Sequence, residues 1–153
     1  MRRAIEEGFY VIYVDETAFT RNEGKVYGFA PKGKRLEFIH HKPAYSIGGI
    51  GAISRYGLEA FQLRDGKTNK YAFIHFILCL VKKLKDEQLD DFNKVLLYLD
   101  NATYHTCPDT LELFKLLNVN YIFAPAYLSP LNPIEYFFGT LKAHLRHHDL
   151  VTK

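Results

Sequence analysis

Val95-Leu96-Leu97-Tyr98-Leu99-Asp100-Asn101-Ala102-Thr103-Tyr104-His105 sets the reading of the whole chain. Five apolar or aromatic residues in succession describe a strand buried on both faces, because a strand with one wet face would alternate with polar residues. Such a strand belongs at the centre of a sheet. It ends on a carboxylate and an amide with an imidazole close behind, and none of these is cheaply buried without partners. In open α/β sheets, ligands collect at the ends of central strands. Asp100 is therefore either a turn former, since Asp-Asn after a strand is good turn chemistry, or a functional carboxylate.

A second stretch has the same form. Phe9-Tyr10-Val11-Ile12-Tyr13-Val14-Asp15-Glu16-Thr17 reads as another apolar strand ending on acid, and Tyr13-Val14-Asp15 echoes Tyr98-Leu99-Asp100. Period-two alternation puts each Asp on the strand face of the Tyr two residues before it. Glu16 points to the opposite face and is the weaker candidate. Either acid also fits a solvated charge at a strand end.

Working outward, Tyr45 to Ser54 and Gly57 to Arg64 are two short strands around Arg55-Tyr56, a hairpin that forms an antiparallel trio with the first strand. Gly48, Gly49 and Gly51 lack dinucleotide-binding spacing and open no helix; a bulge or close backbone approach explains them. Asn69 ends a turn that supplies an N-cap, and residues 70–85 form a strongly apolar helix expected to pack across the sheet, with His75 as a core or boundary histidine. Residues 86–93 are a charged connector. Pro108 opens an amphipathic helix ending near Asn118, and Val119 to Ala124 is a further strand. Strand, helix, strand in that order places the last strand parallel and beside that of Asp100. The coarse order is βββαβαβα in a single domain spanning 1–153.

From Thr20 to Lys34 the chain is polar and rich in Gly and Lys, a loop or short edge ribbon carrying Arg21, Lys25, Lys32, Lys34 and the adjoining Arg35 among aromatics. That mixture suits a phosphate backbone and equally a solvated loop. In the final helix, Asn132 as N-cap, Pro133 in the first turn and Glu135 three residues after the cap match a capping box. Ile134, Phe137, Phe138, Leu141 and Leu145 form one apolar arc, while Glu135, Lys142 and Arg146 form a separate stripe. That stripe is either a solvated face or a metal ligand followed by a phosphate track.

Composition bounds the function classes. The 153 residues carry 20 Lys and Arg against 17 Asp and Glu, a net charge of +3 that permits a nucleic-acid partner without demanding one. Hydrophobic content of 48% argues against disorder. Cys79 and Cys107 have neither disulfide density nor metal-ligand spacing and read as reduced thiols of an intracellular protein. No signal-peptide core follows Arg2 and Arg3, and the apolar run from Tyr71 to Val81 is too short to span a bilayer.

Asp15, Asp100 and Glu135 together offer hard oxygen donors with no Cys or His. Such a set suits Mg²⁺ or Mn²⁺, and two such ions can activate the attacking oxygen of a phosphodiester reaction and stabilise the leaving one. Acids gathered this closely repel one another without a cation.

In order along the chain, Tyr-Val-Asp15-Glu-Thr, Tyr-Leu-Asp100-Asn-Ala-Thr-Tyr-His105 and Leu-Ser-Pro-Leu-Asn132-Pro133-Ile-Glu135 resemble the catalytic domain of DDE transposases of the Tc1/mariner and bacterial IS630 group. The 34 residues between Asp100 and Glu135 match that group's Asp-Asp-Glu variant. Tyr27-Gly-Phe-Ala-Pro-Lys-Gly33 resembles its basic loop. The resemblance implies a ribonuclease-H-like fold with a five-stranded mixed sheet, three antiparallel strands and then two parallel, flanked by helices. It implies that Asp15, Asp100 and Glu135 hold two Mg²⁺ or Mn²⁺ ions, with Asn101, His105 and Asn132 in the surrounding motifs. Arg21, Lys32, Lys34, Arg35, Lys142 and Arg146 become candidates for DNA contact. The implied reaction is cleavage of DNA at transposon ends and attack of the freed 3′-hydroxyl on target DNA. A homodimer in the DNA complex and an intracellular site of action, bacterial cytoplasm or eukaryotic nucleus, follow from it. Phe29 and Phe138 stand where relatives often carry Trp. The family's helix-turn-helix modules precede the catalytic domain, whereas here the first strand begins by Phe9, so that region is expected from elsewhere. The alternatives are another ribonuclease-H-like nuclease and a domesticated DNA-binding scaffold that no longer cleaves.

Overall fold

The structure, a computed structural model, describes residues 2–20, 31–32, 46–87, 92–125 and 132–151. A short helix α1 (Arg2–Glu6) leads into β1 (Tyr10–Thr20), and the hairpin strands β2 (Ser46–Ser54) and β3 (Gly57–Asp65) follow. Helix α2 (Lys70–Asp86), β4 (Val95–Leu99), α3 (Pro108–Leu117), β5 (Asn120–Phe123) and α4 (Ile134–Val151) complete the order. The five strands form one sheet in the order β3-β2-β1-β4-β5. β1, β2 and β3 pair antiparallel, while β4 joins β1 and β5 in parallel. This is the five-stranded mixed sheet expected from the apolar runs, with the Asp100 strand inside it.

Alternation along β1 and β2 divides the two faces. Ile12, Val14, Ile50 and Ala52 are buried in one cluster with Phe73, Phe76, Ile77, Leu80, Val81 and Leu84 of α2. Leu97, Leu99 and Phe114 belong to the same core. α2 begins where the turn predicts: the Asn69 side chain accepts the Ala72 N–H at 3.0 Å. α3 starts at Pro108 and stops at Asn118, whose φ of 54° is a left-handed cap. α4 covers the other face, where Ile134 and Phe138 are buried against β2 and Phe137 meets Phe61 edge to face.

Close approach explains the glycines of β2. A Cβ on Gly51 would stand 3.1 Å from the Phe138 ring, and one on Gly48 would stand 2.7 Å from the Gly66 carbonyl. The bulge lies elsewhere, between Ala52 and Ile53, and makes Glu59 the extra residue of β3. The Glu59 carboxylate takes bonds from Ser54 and Tyr10 and lies 3.4 Å from Lys83 of α2.

Four expectations are corrected. β1 does not end at its acids; it runs on to Thr20 because β2 stays paired with it as far as Ser46. Residues 2–6 are helical ahead of the first strand. His75 is exposed on α2 because the buried stripe of that helix passes through Phe73, Phe76 and Ile77. Leu145 is 45% exposed, so the apolar arc of α4 outlasts the described surface that covers it. No helix among the described residues is long and apolar enough to cross a membrane.

Candidate functional site

β1 and β4 run in parallel register as far as Tyr13 opposite Tyr98, whose rings pack edge to face at 5.5 Å. Two residues on, each chain carries an Asp. At that level the strands part: β1 continues against β2, with Asp15 opposite Gly51, while β4 stops at Leu99. Asp15 thus lies mid-strand and Asp100 in the turn just past a strand end. Splaying of neighbouring strands leaves room for side chains between them.

Asp100 proves to be a turn former as well. Its Oδ1 accepts the Ala102 N–H at 3.0 Å, and the same oxygen lies 2.7 Å from His105 Nδ1. Nδ1 also approaches the Asp100 carbonyl at 3.3 Å, and the other ring nitrogen, Nε2, lies 3.0 Å from Glu16 Oε1. His105 is fully buried, held by the Phe73 ring at 4.2 Å and the Tyr104 ring at 4.7 Å. Burial alone would strip its proton, but the bonds to Asp100 and Glu16 outweigh burial and raise its pKa to about 9. His105 is therefore a cation between two carboxylates at neutral pH. The His105 bond in turn holds the Asp100 carboxyl below its ordinary range.

Asp15 sits on the α4 side with 7% of its surface exposed. Its Oδ1 accepts the Glu16 N–H at 2.7 Å, and Asn132 Nδ2 donates to Oδ2 at 3.4 Å. Burial raises its pKa to about 7 against the Glu16 N–H, helped by repulsion from Glu16, Asp100 and Glu135. Asn132 is buried and also starts α4: its side-chain oxygen accepts the Ile134 N–H at 3.3 Å and its carbonyl the Glu135 N–H at 3.0 Å. Glu135 follows, exposed on the first turn. Asn101 turns away from the acids and donates to the Ala124 carbonyl, while Ala124 N–H bonds Leu99 O at 2.7 Å, tying the ends of β4 and β5.

Asp100 and Glu135, far from Asp15 in sequence, lie near enough for their charges to bear on it. Among the described residues no three acid, His or Cys side chains close into a finished ion cage. The donor set still fits a hard cation: all three are carboxylates, and Asp15 is destabilised as an anion by burial and then by its neighbours' charge. Glu16 carries more of the site than its face suggested. Alternation places it on the α2 side, as expected, but the loop after β4 folds His105 over that face, which strand periodicity does not encode. Tyr104, whose hydroxyl burial and Glu16 push well above its ordinary pKa, was likewise not singled out.

Of the basic candidates, Lys32 is exposed and Lys142 is half-buried with Nζ 5.8 Å from the Phe19 ring centre. Arg21, Lys34 and Arg35 lie outside the described residues, as does the Arg146 side chain. Cys79 and Cys107 are free thiols.

Residues 10–153 match the family described as DDE superfamily endonuclease. Among solved structures, a pre-cleavage Mos1 transpososome is similar with a TM-score of 0.73 at 17% identity, over 94% of this chain and 45% of the other. The Mos1 mariner paired end complex with Mn gives 0.72 at 18% identity, with 94% and 45% covered. The catalytic domain of Mos1 mariner transposase gives 0.64 at 19%, with 99% and 66% covered. The chain thus spans about 45% of the length of the first two. No curated protein matches it.

Proposed function

We propose that this chain, which belongs to the DDE superfamily endonucleases, is the catalytic core of a DNA transposase that cuts phosphodiesters at transposon ends and transfers the freed 3′-hydroxyl to target DNA. The observation that supports the reading is the pKa of Asp15, raised to about 7 by burial and by repulsion from Glu16, Asp100 and Glu135. A buried carboxylate raised by neighbouring carboxylates supports the reading of a divalent-cation site. Solved neighbours include a Mos1 paired end complex with Mn and another with Mg. Mg²⁺ or Mn²⁺, as one ion or two, supplies the charge that activates the attacking oxygen and stabilises the leaving one.

The residues divide the work. Asp15 and Asp100, fixed by β1 and the turn after β4, and Glu135 on the first turn of α4 hold the ions. Asn132 joins Asp15 to the start of α4, so that the third acid is set relative to the first. Asn101 fixes the end of β4 against β5. Lys32 and Lys142, with the basic residues of the 21–35 segment and Arg146, contact DNA phosphates, a role of position more than of sequence readout. Two copies of the chain on paired DNA ends, with helix-turn-helix modules supplied by the same or another chain, complete the assembly.

The test is a labelled transposon end incubated with Mg²⁺, the protein and its DNA-binding modules. Wild type is expected to nick the end and Glu135→Gln to leave it intact. Equal, uncut product from both would favour a DNA-binding scaffold instead.

A further inference from the structure

We propose that Glu16 and His105 are a positioning pair that sets the carboxylate of Asp100 and its spacing to Asp15, a role resting on the reading of these acids as metal ligands. Three observations carry it. His105 bridges Glu16 Oε1 at 3.0 Å and Asp100 Oδ1 at 2.7 Å, so a side chain on β1 fixes a carboxylate in the turn after β4, just where the ladder between the strands has ended. Both close bonds to the Asp100 carboxylate, from His105 and Ala102, fall on Oδ1, so they engage one carboxylate oxygen and not Oδ2. Glu16 also donates its N–H to Asp15 Oδ1 at 2.7 Å. One residue therefore holds Asp15 through its backbone and Asp100 through its side chain and His105.

A purely stabilising role explains this poorly. A buried ion pair is weak evidence for stability, since well-packed apolar residues of similar volume often do as well or better. Here the pair lies among Phe73, Tyr104 and the β-sheet core, an environment suited to an apolar side chain. Its geometry serves the acids. The imidazole is fully buried and packed by the Phe73 and Tyr104 rings, so its two nitrogens act as a spacer between the carboxylates. Partners of this kind, beyond the ligands themselves, typically govern 10- to 100-fold in metal affinity.

Mn²⁺ binding to the full chain, read from the electron paramagnetic resonance signal of the free ion, tests this alongside metal-free melting. Glu16→Gln keeps the size and an acceptor oxygen; His105→Gln provides a second variant should the first fail to fold. Each is expected to fold with a lower melting temperature than wild type, because a buried pair loses one partner, and to bind Mn²⁺ about 10-fold more weakly. Glu59→Gln, a half-buried carboxylate in the same sheet but outside the site, is expected to leave Mn²⁺ affinity unchanged. Folded variants at Glu16 and His105 that bind Mn²⁺ as wild type does would overturn the positioning role while leaving the metal reading intact. An equal loss in Glu59→Gln would overturn it too, assigning the effect to general loosening of the sheet. If wild type and Asp100→Asn both failed to bind, the metal reading itself would fall and this role with it.

Discussion

Asp15 and Asp100 occupy the same step of neighbouring strands, yet their environments push them apart. His105 holds Asp100 ionised, whereas burial and three nearby carboxylates raise Asp15 to about 7. Between its ordinary 3.8 and 7, Asp15 is protonated in the folded protein and ionised in the unfolded chain. The unfolded state then binds fewer protons, so this contribution to stability is whole below 3.8 and is lost as pH rises through 7. Asp15→Asn removes the ionisation and keeps an acceptor for the Glu16 N–H. At pH 7.5 without metal the variant is expected to be more stable than wild type by about 2 kcal/mol, with the gap closing toward pH 4. Urea unfolding at both pH values measures it. A variant less stable than wild type at pH 7.5 would mean that Asp15 does not bear this strain.

The element that brings Glu135 to Asp15 is α4, and its height above the sheet is set by Gly51. Gly51 faces α4 opposite Asp15, and an added Cβ would lie 3.1 Å from Phe138 and 3.3 Å from Ile134. Gly51→Ala is expected to cost about 1–2 kcal/mol by overpacking and, by lifting the first turn of α4, to weaken Mn²⁺ binding. Shaving the ring with Phe138→Leu in the same chain should restore part of both, which melting and Mn²⁺ titration would show; additive losses would argue that the two do not touch. Much at this scale was legible. Continuous apolar runs gave β1 and β4, Asn69 and Pro108 marked two helix starts, and the resemblance to the DDE catalytic domain, with its 34-residue gap, nominated Glu135 as a third acid. The rest depends on partners remote in sequence. β1 is long because β2 pairs with it, Leu145 is exposed because helical periodicity persists past its cover, and Glu16 matters because a loop 89 residues away lays His105 upon it.

Across the molecule, the sheet is held unequally. On one face α2 buries six side chains in a core continuous with β1, β2, β4 and α3. On the other, Ile134 and Phe138 are the fully buried side chains of α4 among the described residues, and its first turn brings Glu135 toward Asp15. Apolar burial stabilises at about 25 cal/mol per Å², so the smaller face has less to set against carboxylate repulsion. α4 is therefore the element expected to open first in the metal-free protein, by local detachment rather than global unfolding. A divalent ion bound across the junction stabilises only forms in which α4 is docked, and at 100 times its Kd adds about 2.7 kcal/mol to them. Native-state hydrogen exchange can see both effects. Without metal, α4 amides should exchange through openings of lower free energy than those of α2 or β4. Mg²⁺ should slow exchange in α4 by a larger factor than in α2, until the two approach the same limit. Equal slowing everywhere would place the ion's effect on global stability alone, and no slowing would mean that no ion joins β1 to α4.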